Sequence, residues 1–113
     1  MKRGEVWEVN LDPTIGAEIQ KIRPCVLVSR DALARLPLKI IVPLTEWNDG
    51  FSRASWHIKV MVTPRNGLTK DSSADTYQVR SISEKRLIRM IGEIDDPIMD
   101  LINAGLVLSL ALD

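Results

Sequence analysis

The chain is poor in several things that many functions need. Its 113 residues include one cysteine and one histidine, aromatic residues make up 4%, and fifteen Lys and Arg balance fifteen Asp and Glu. A lone Cys25 closes no intrachain disulfide, and its place in the apolar run Pro24-Cys-Val-Leu-Val28 reads as a buried thiol in a reducing compartment. One Cys and one His are too few for the usual zinc sets, and Asp95, Asp96 and Asp100 fit a helix start, so neither a metal nor another cofactor is expected. Zero net charge gives no overall pull on a polyanion; any nucleic-acid site must be a local patch. The most apolar stretch, Leu106 to Leu112, is interrupted by Ser109 and is too short to span a bilayer. Met1-Lys-Arg-Gly-Glu5 leads into Val-Trp-Glu-Val-Asn rather than a signal-peptide core, so a cytoplasmic location without a membrane partner is expected. There is no Gly-rich phosphate loop and no serine-nucleophile elbow, which removes ATP-driven and triad chemistry.

What is present describes an ordinary globular chain, 45% hydrophobic and 27% charged, expected to fold as one domain over residues 1–113. Trp7, Val9 and Leu11 alternate with Glu8 and Asn10, the period of a strand with one buried face. Asp12 to Ile22 has no sustained period and reads as a long loop, a kind of segment that often carries function. Cys25–Val28 and Ile40–Val42 are short β-branched runs that suggest buried strands, with a helical turn at Asp31–Arg35 between them. A turn at Trp47–Phe51 precedes a strand in which Trp56, Ile58, Val60 and Val62 take the buried side, and Asn66-Gly67 marks a tight turn. Tyr77–Ile82 and Met90–Ile94 read as strands, separated by a Ser83-capped helical turn. Asp95-Asp-Pro97 opens an amphipathic helix with Ile98, Leu101, Ile102 and Gly105 at helical spacing. About six short strands and one terminal helix suggest a small twisted barrel, since closure removes exposed edges.

Glu18, Lys21 and Arg23 bring a carboxylate and two cations together in the long loop, with Arg23 held just before Pro24. A guanidinium fork grips phosphate at two points and stabilises the extra charge of a phosphorane-like transition state. Spacing alone describes a solvated loop with weak ion pairs more often. Thr45 follows Pro43-Leu44 at the end of a strand, where its hydroxyl either meets a phosphate oxygen or caps a turn. His57 is the default acid or base for a ribose hydroxyl, and equally an outward-facing surface group. Trp47, Phe51 and Trp56 suit stacking on bases, although a chain with so few aromatics also needs Trp56 for its core.

Taken in order, Arg3-Gly-Glu-Val-Trp7, Asp12-Pro-Thr14, Gly16-Ala-Glu18, Arg23-Pro-Cys-Val-Leu-Val-Ser29, Val42-Pro-Leu-Thr45 and Gln78-Val-Arg-Ser-Ile82 resemble the MazF/PemK family of toxin endoribonucleases. The resemblance runs from near the amino terminus to about residue 94. It implies an SH3-like small barrel of the plasmid-toxin type, mainly β with short helices and a C-terminal α-helix. It also implies a homodimer that cuts single-stranded RNA at a short sequence without metal. The implied partner is a cognate MazE-like antitoxin, which lays an acidic disordered segment over the active face. The family's catalytic Arg and Thr carry onto Arg23 and Thr45, and its loop carboxylate onto Glu18. Gln78 and Arg80 fall in the motif near which substrate contacts lie, with Ser81 where the family usually has Thr. Lys21, His57 and Trp47 complete the expected RNA-binding set. Residues 46 to 74 depart from the family pattern, so the recognition sequence does not follow from the resemblance.

The implied reaction is attack of the ribose 2′-hydroxyl on the adjacent phosphate, leaving a 2′,3′-cyclic phosphate and a 5′-hydroxyl. Arg23 stabilises the growing charge, Thr45 fixes an oxygen, and Glu18 accepts the proton or orients Arg23. No residue is assigned as general acid. Two alternatives stand beside this one. A CcdB-like gyrase-binding toxin shares the fold but relies on a C-terminal Trp, and this chain ends Ser109-Leu-Ala-Leu-Asp113. A non-catalytic SH3-like interaction module predicts no RNA cleavage at all.

Overall fold

The computed structural model describes residues 1–113. Seven strands and one α-helix follow in the order β1 (Glu5–Asn10), β2 (Ile22–Leu27), β3 (Leu38–Glu46), β4 (His57–Val60), β5 (Ser72–Asp75), β6 (Arg80–Ser83), β7 (Leu87–Glu93) and α1 (Asp96–Leu110). All pairings are antiparallel, and the path through the sheet is β4-β5-β3-β2-β1-β7. The long strand β3 serves two further partners along its length: Leu38–Ile41 pair with β6, and Leu44–Glu46 pair with β5. The expected mainly β fold with a terminal helix is present, but the sheet is open: β4 and β7 end its path, and β6 pairs with β3 alone.

The period of two explains the two-sided core. One side chain set, Val6, Val26, Val42, Leu44, Val60 and Ala74, packs with Met99 and Ile102 of α1. The alternate set, Val9, Leu11, Cys25, Leu27 and Ile41, joins Ile82 on the other face, with Ile19 of the long loop packed against it. Strands buried on both faces read as continuous apolar runs, which is why Cys25–Leu27 and Ile40–Val42 stood out in the sequence. Each fully buried Val, Leu or Ile contributes roughly 1.5–3 kcal/mol relative to exposure.

Three local readings change. β5 is Ser-Ser-Ala-Asp, without one β-branched residue, and all four are buried because β3 and β4 flank them. Trp56 is 40% exposed rather than in the core, because β4 begins only at His57. On α1 the inward residues are Met99, Ile102 and Gly105; Leu101, 100° round the helix from Ile102, is exposed. Gly105 is required there, since an added Cβ would stand 2.8 Å from Thr76 Cγ2. No helix is long and apolar enough to cross a membrane.

The loop between β1 and β2 is closed at its base by Leu11 N–H donating to the Lys21 carbonyl at 2.9 Å. The turn at Asn66-Gly67 is built as its sequence suggests. Gly67 takes φ +69°, and a Cβ there would lie 1.9 Å from the Ile91 carbonyl oxygen. Asn66 Oδ1 accepts from Thr63 N and Leu68 N, which fixes the path of Leu68–Lys70 into the site described next.

Candidate active site

Register decides which polar side chains meet. Cys25 pairs with Pro43, so the same antiparallel pairing continued by two residues sets Arg23 opposite Thr45. Thr45 pairs in turn with Ser73, and Ser73 with Lys59. Directly opposed residues share a face. A row of Arg23, Thr45, Ser73 and Lys59 therefore crosses β2, β3, β5 and β4. Thr45 lies at the end of β3, one residue before its last, as its place after Pro43-Leu44 suggests.

Arg23 and Thr45 line one cavity of about 200 Å³, together with Glu46, Leu68, Lys70 and Ser72. Arg23 is half-buried, and its Nε donates to the Gln20 carbonyl at 3.1 Å. That bond spends the inner donor on the loop and leaves the two terminal amino groups for an anion. The Lys70 ammonium stands 3.7 Å from the Glu46 carboxylate, an exposed pair that water screens.

Glu18 is not in this cavity. It lines a separate groove of about 450 Å³ with Leu11, Ile19, Pro43, Tyr77, Gln78 and Arg80. Its carboxylate accepts the Ile15 N–H at 2.6 Å, so it ties the loop to itself. Gln78 ties the loop to the body: its Oε1 accepts from Ile19 N at 2.7 Å, and its Nε2 donates to the Ala17 carbonyl at 3.2 Å. Arg80 donates to the Leu11 carbonyl at 3.2 Å. The polar groups of Gln78 and Arg80 thus hold the segment that carries Lys21 and Arg23. Lys21 is exposed and adopts φ 72°, a left-handed conformation uncommon for a side chain with a Cβ and one that clusters near functional sites.

Trp47 and His57 lie beyond Thr45 in one aromatic cluster. Phe51 stacks flat on the His57 ring, with centroids 3.9 Å apart and planes 3° from parallel. Trp47 meets Phe51 edge-on at 5.8 Å, and the Lys59 ammonium sits 5.3 Å from the Trp47 ring centroid. His57 is half-buried, and its Nδ1 lies 2.8 Å from Ser73 Oγ. Cys25, below this surface, has its thiol pushed up to about 12 by burial.

Glu46, Lys70, Ser72 and Ser73 were not singled out in the sequence. Ser72 and Ser73 sit in a strand with no strand signal, while Lys70 follows the turn at Asn66-Gly67, which is the one feature that pointed toward it.

Comparison with known proteins gives this geometry its family. A family described as the PemK-like, MazF-like toxin of type II toxin-antitoxin systems matches residues 2–110. Endoribonuclease MazF9 of Mycobacterium tuberculosis (strain ATCC 25618 / H37Rv) is 33% identical over 100 residues, covering 83% of this chain and 82% of the relative. Endoribonuclease EndoA of Bacillus subtilis (strain 168) is 30% identical over 112 residues, covering 99% and 96%. Among solved structures, an endoribonuclease in complex with its cognate antitoxin from Mycobacterial species shares the fold with a TM-score of 0.77 at 20% identity, over 100% of this chain and 97% of that one. The match from end to end, with the Arg-Pro and Pro-Leu-Thr segments meeting at one cavity, means that the chain belongs to the PemK-like, MazF-like toxins of type II toxin-antitoxin systems.

Proposed function

We propose that this toxin endoribonuclease cuts single-stranded RNA at a phosphate held between Arg23 and Thr45, using the substrate's own 2′-hydroxyl as nucleophile. The observation that carries the reading is that Arg23 and Thr45, each two residues past the Cys25–Pro43 pair, line one polar cavity. As the O2′–P bond forms and the P–O5′ bond breaks, charge grows on the non-bridging oxygens. The terminal amino groups of Arg23 point a fixed cation at that charge, and the Thr45 hydroxyl donates to one oxygen. The 2′-hydroxyl releases its proton to solvent and the leaving 5′-oxygen takes one up from solvent, so the products are a 2′,3′-cyclic phosphate and a 5′-hydroxyl, and no metal-bound water is required.

Glu18 acts through the loop rather than as a base, because it lines the neighbouring groove and holds Ile15. The loop in turn presents the Gln20 carbonyl that orients Arg23. Lys21, Trp47 and His57 extend the RNA path on either side of the cavity, while Gln78 and Arg80 serve by holding the loop. The natural partner is a cognate antitoxin whose acidic segment competes for the same cations, and the working unit is a homodimer in the cytoplasm. The gyrase-binding alternative has no support in relatives named as endoribonucleases.

The test is RNA end analysis. Purified protein, incubated with single-stranded RNA and a chelator, is expected to leave 5′-hydroxyl ends at a short recurring sequence. Uncut RNA, or cleavage at the parental rate by a folded Arg23→Ala variant, defeats the proposal.

A further inference from the structure

Ser73 is a fully buried hydroxyl in the middle of the row that begins at Arg23 and Thr45. Its Oγ has one partner, His57 Nδ1 at 2.8 Å. A hydroxyl shut away from water can donate to that nitrogen and be satisfied. If it accepted instead, its own proton would be stranded in the interior, at the cost of an unmade buried hydrogen bond. The hydroxyl therefore donates, Nδ1 carries the lone pair, and the neutral imidazole bears its proton on Nε2.

The surroundings fix where that proton points. Phe51 covers one face of the ring at 3.9 Å, and Trp56 lies tilted against it at 5.7 Å. Phe51 already occupies a stacking face, and Nδ1 is taken by Ser73, so the polar group the imidazole has left to offer is the Nε2 edge. Turning the ring over about Cβ–Cγ would keep the Phe51 stack but replace Nδ1 by a carbon and break the Ser73 bond. The charged groups nearby are Asp75, opposite His57 on β5 with its carboxylate accepting the Tyr77 N–H, and Lys59, two residues along β4 over Trp47. Neither replaces Ser73 as the partner of Nδ1. Ser73 stands one strand from Thr45, about 4.8 Å away, so the ring lies next along the row from the Thr45 side of the cavity.

We propose that Ser73 is a positioning residue that locks His57 as an Nε2–H donor, and that this donor holds an acceptor oxygen of the nucleotide next to the phosphate gripped by Arg23 and Thr45. The acceptor is a base carbonyl or a neighbouring phosphate oxygen. The inference rests on the ribonuclease reading for its substrate, but the tautomer does not depend on it.

His57 is the sole histidine, so the imidazole nitrogen spectrum of labelled protein contains one ring. The expected result is the Nε2–H form in the parent and a mixture of tautomers in Ser73→Ala. An RNA oligonucleotide with 2′-deoxyribose at the cleavage position should shift Nε2 on binding. In steady-state cleavage, His57→Phe keeps the ring stacking but removes the donor. Its KM is expected to rise about tenfold with kcat within about twofold, the size of one lost hydrogen bond. His57→Gln, which retains an N–H donor, should recover most of that loss. Equal losses in His57→Phe whatever the neighbouring base identify a phosphate acceptor; losses that disappear with A there, the one base without a carbonyl, identify a base carbonyl.

An Nδ1–H tautomer in the parent overturns the proposal. So does an unchanged KM in folded His57→Phe, or a fall in kcat alone, which would make His57 a proton carrier instead. If the parent cuts no RNA, the ribonuclease reading fails separately, while the tautomer measurement still stands.

Discussion

Two hollows lie side by side on this sheet, and the larger is not the one to which the chemistry is assigned. The groove of about 450 Å³ is walled by Leu11, Ile19, Pro43, Tyr77 and Val79, and its polar residues Glu18, Gln78 and Arg80 are engaged in holding the long loop. The cavity of about 200 Å³ carries Arg23, Thr45, Glu46, Lys70 and Ser72, with the guanidinium held by one donor and free at two. Volume reflects where the loop lifts off the barrel-like sheet. The proposed reaction is placed where a cation and a hydroxyl line one cavity. On that proposal the groove organises the loop, and the cavity reacts.

The largest effect expected is on the cavity. Arg23→Ala should lower kcat by about a hundred- to a thousandfold, as loss of a transition-state donor does. Tyr77→Ala, on the 72% exposed rim of the groove, should change it by less than about threefold. Single-turnover cleavage measures both, and equal losses would erase the distinction between the two hollows.

Next comes the hydroxyl. Thr45→Val is expected to cost about ten- to a hundredfold in rate, whereas Thr45→Ser should stay close to the parent. A Ser variant as slow as Val would show that the Thr methyl, not its oxygen, matters.

Gln78→Ala sharpens the comparison from the other side. Removing both bonds to Ile19 and Ala17 should reduce unfolding free energy by about 1–2 kcal/mol and open residues 12–22 to limited proteolysis. A loop as protease-resistant as the parent's would show that other contacts hold it.

At neutral pH the smallest effect is that of Cys25, which packs with Leu11 and Leu27 beneath the groove and matters to stability only at alkaline pH. Its thiol moves from an ordinary value of 9.0 to about 12 in the folded chain. Below pH 9 both folded and unfolded thiols keep their protons. Above it only the unfolded thiol ionises, so stability should fall by up to about 1.4 kcal/mol per pH unit as pH rises toward 12. Thiol alkylation of the folded protein at pH 8 should be slow beside the denatured chain. Rapid labelling of native protein would contradict the burial.

Much of the fold was legible because its signals are local. The alternation in Val6–Leu11, the Asn66-Gly67 turn and the Asp95-Asp-Pro97 helix start all report contacts made within a few residues. β5 was not legible, because Ser-Ser-Ala-Asp is a strand only by virtue of its neighbours. Trp56 was misplaced for the same reason: alternation says that side chains take turns, not where a strand stops. Arg23 and Thr45 were found through their motifs, while Ser73, silent in sequence, waited for register.

The sequence by itself determined the family and the mainly β plan with its closing helix, and it pointed to the cation and hydroxyl that the structure brings to one cavity. Only the tertiary structure decided that the sheet stays open, that Glu18 belongs to the loop's own wiring, and that Ser73 stands between Thr45 and His57. The physical reason is range. A propensity or a motif is written within a dozen residues, but a hydrogen bond between β4 and β5, or a row across four strands, exists only after distant segments have been paired.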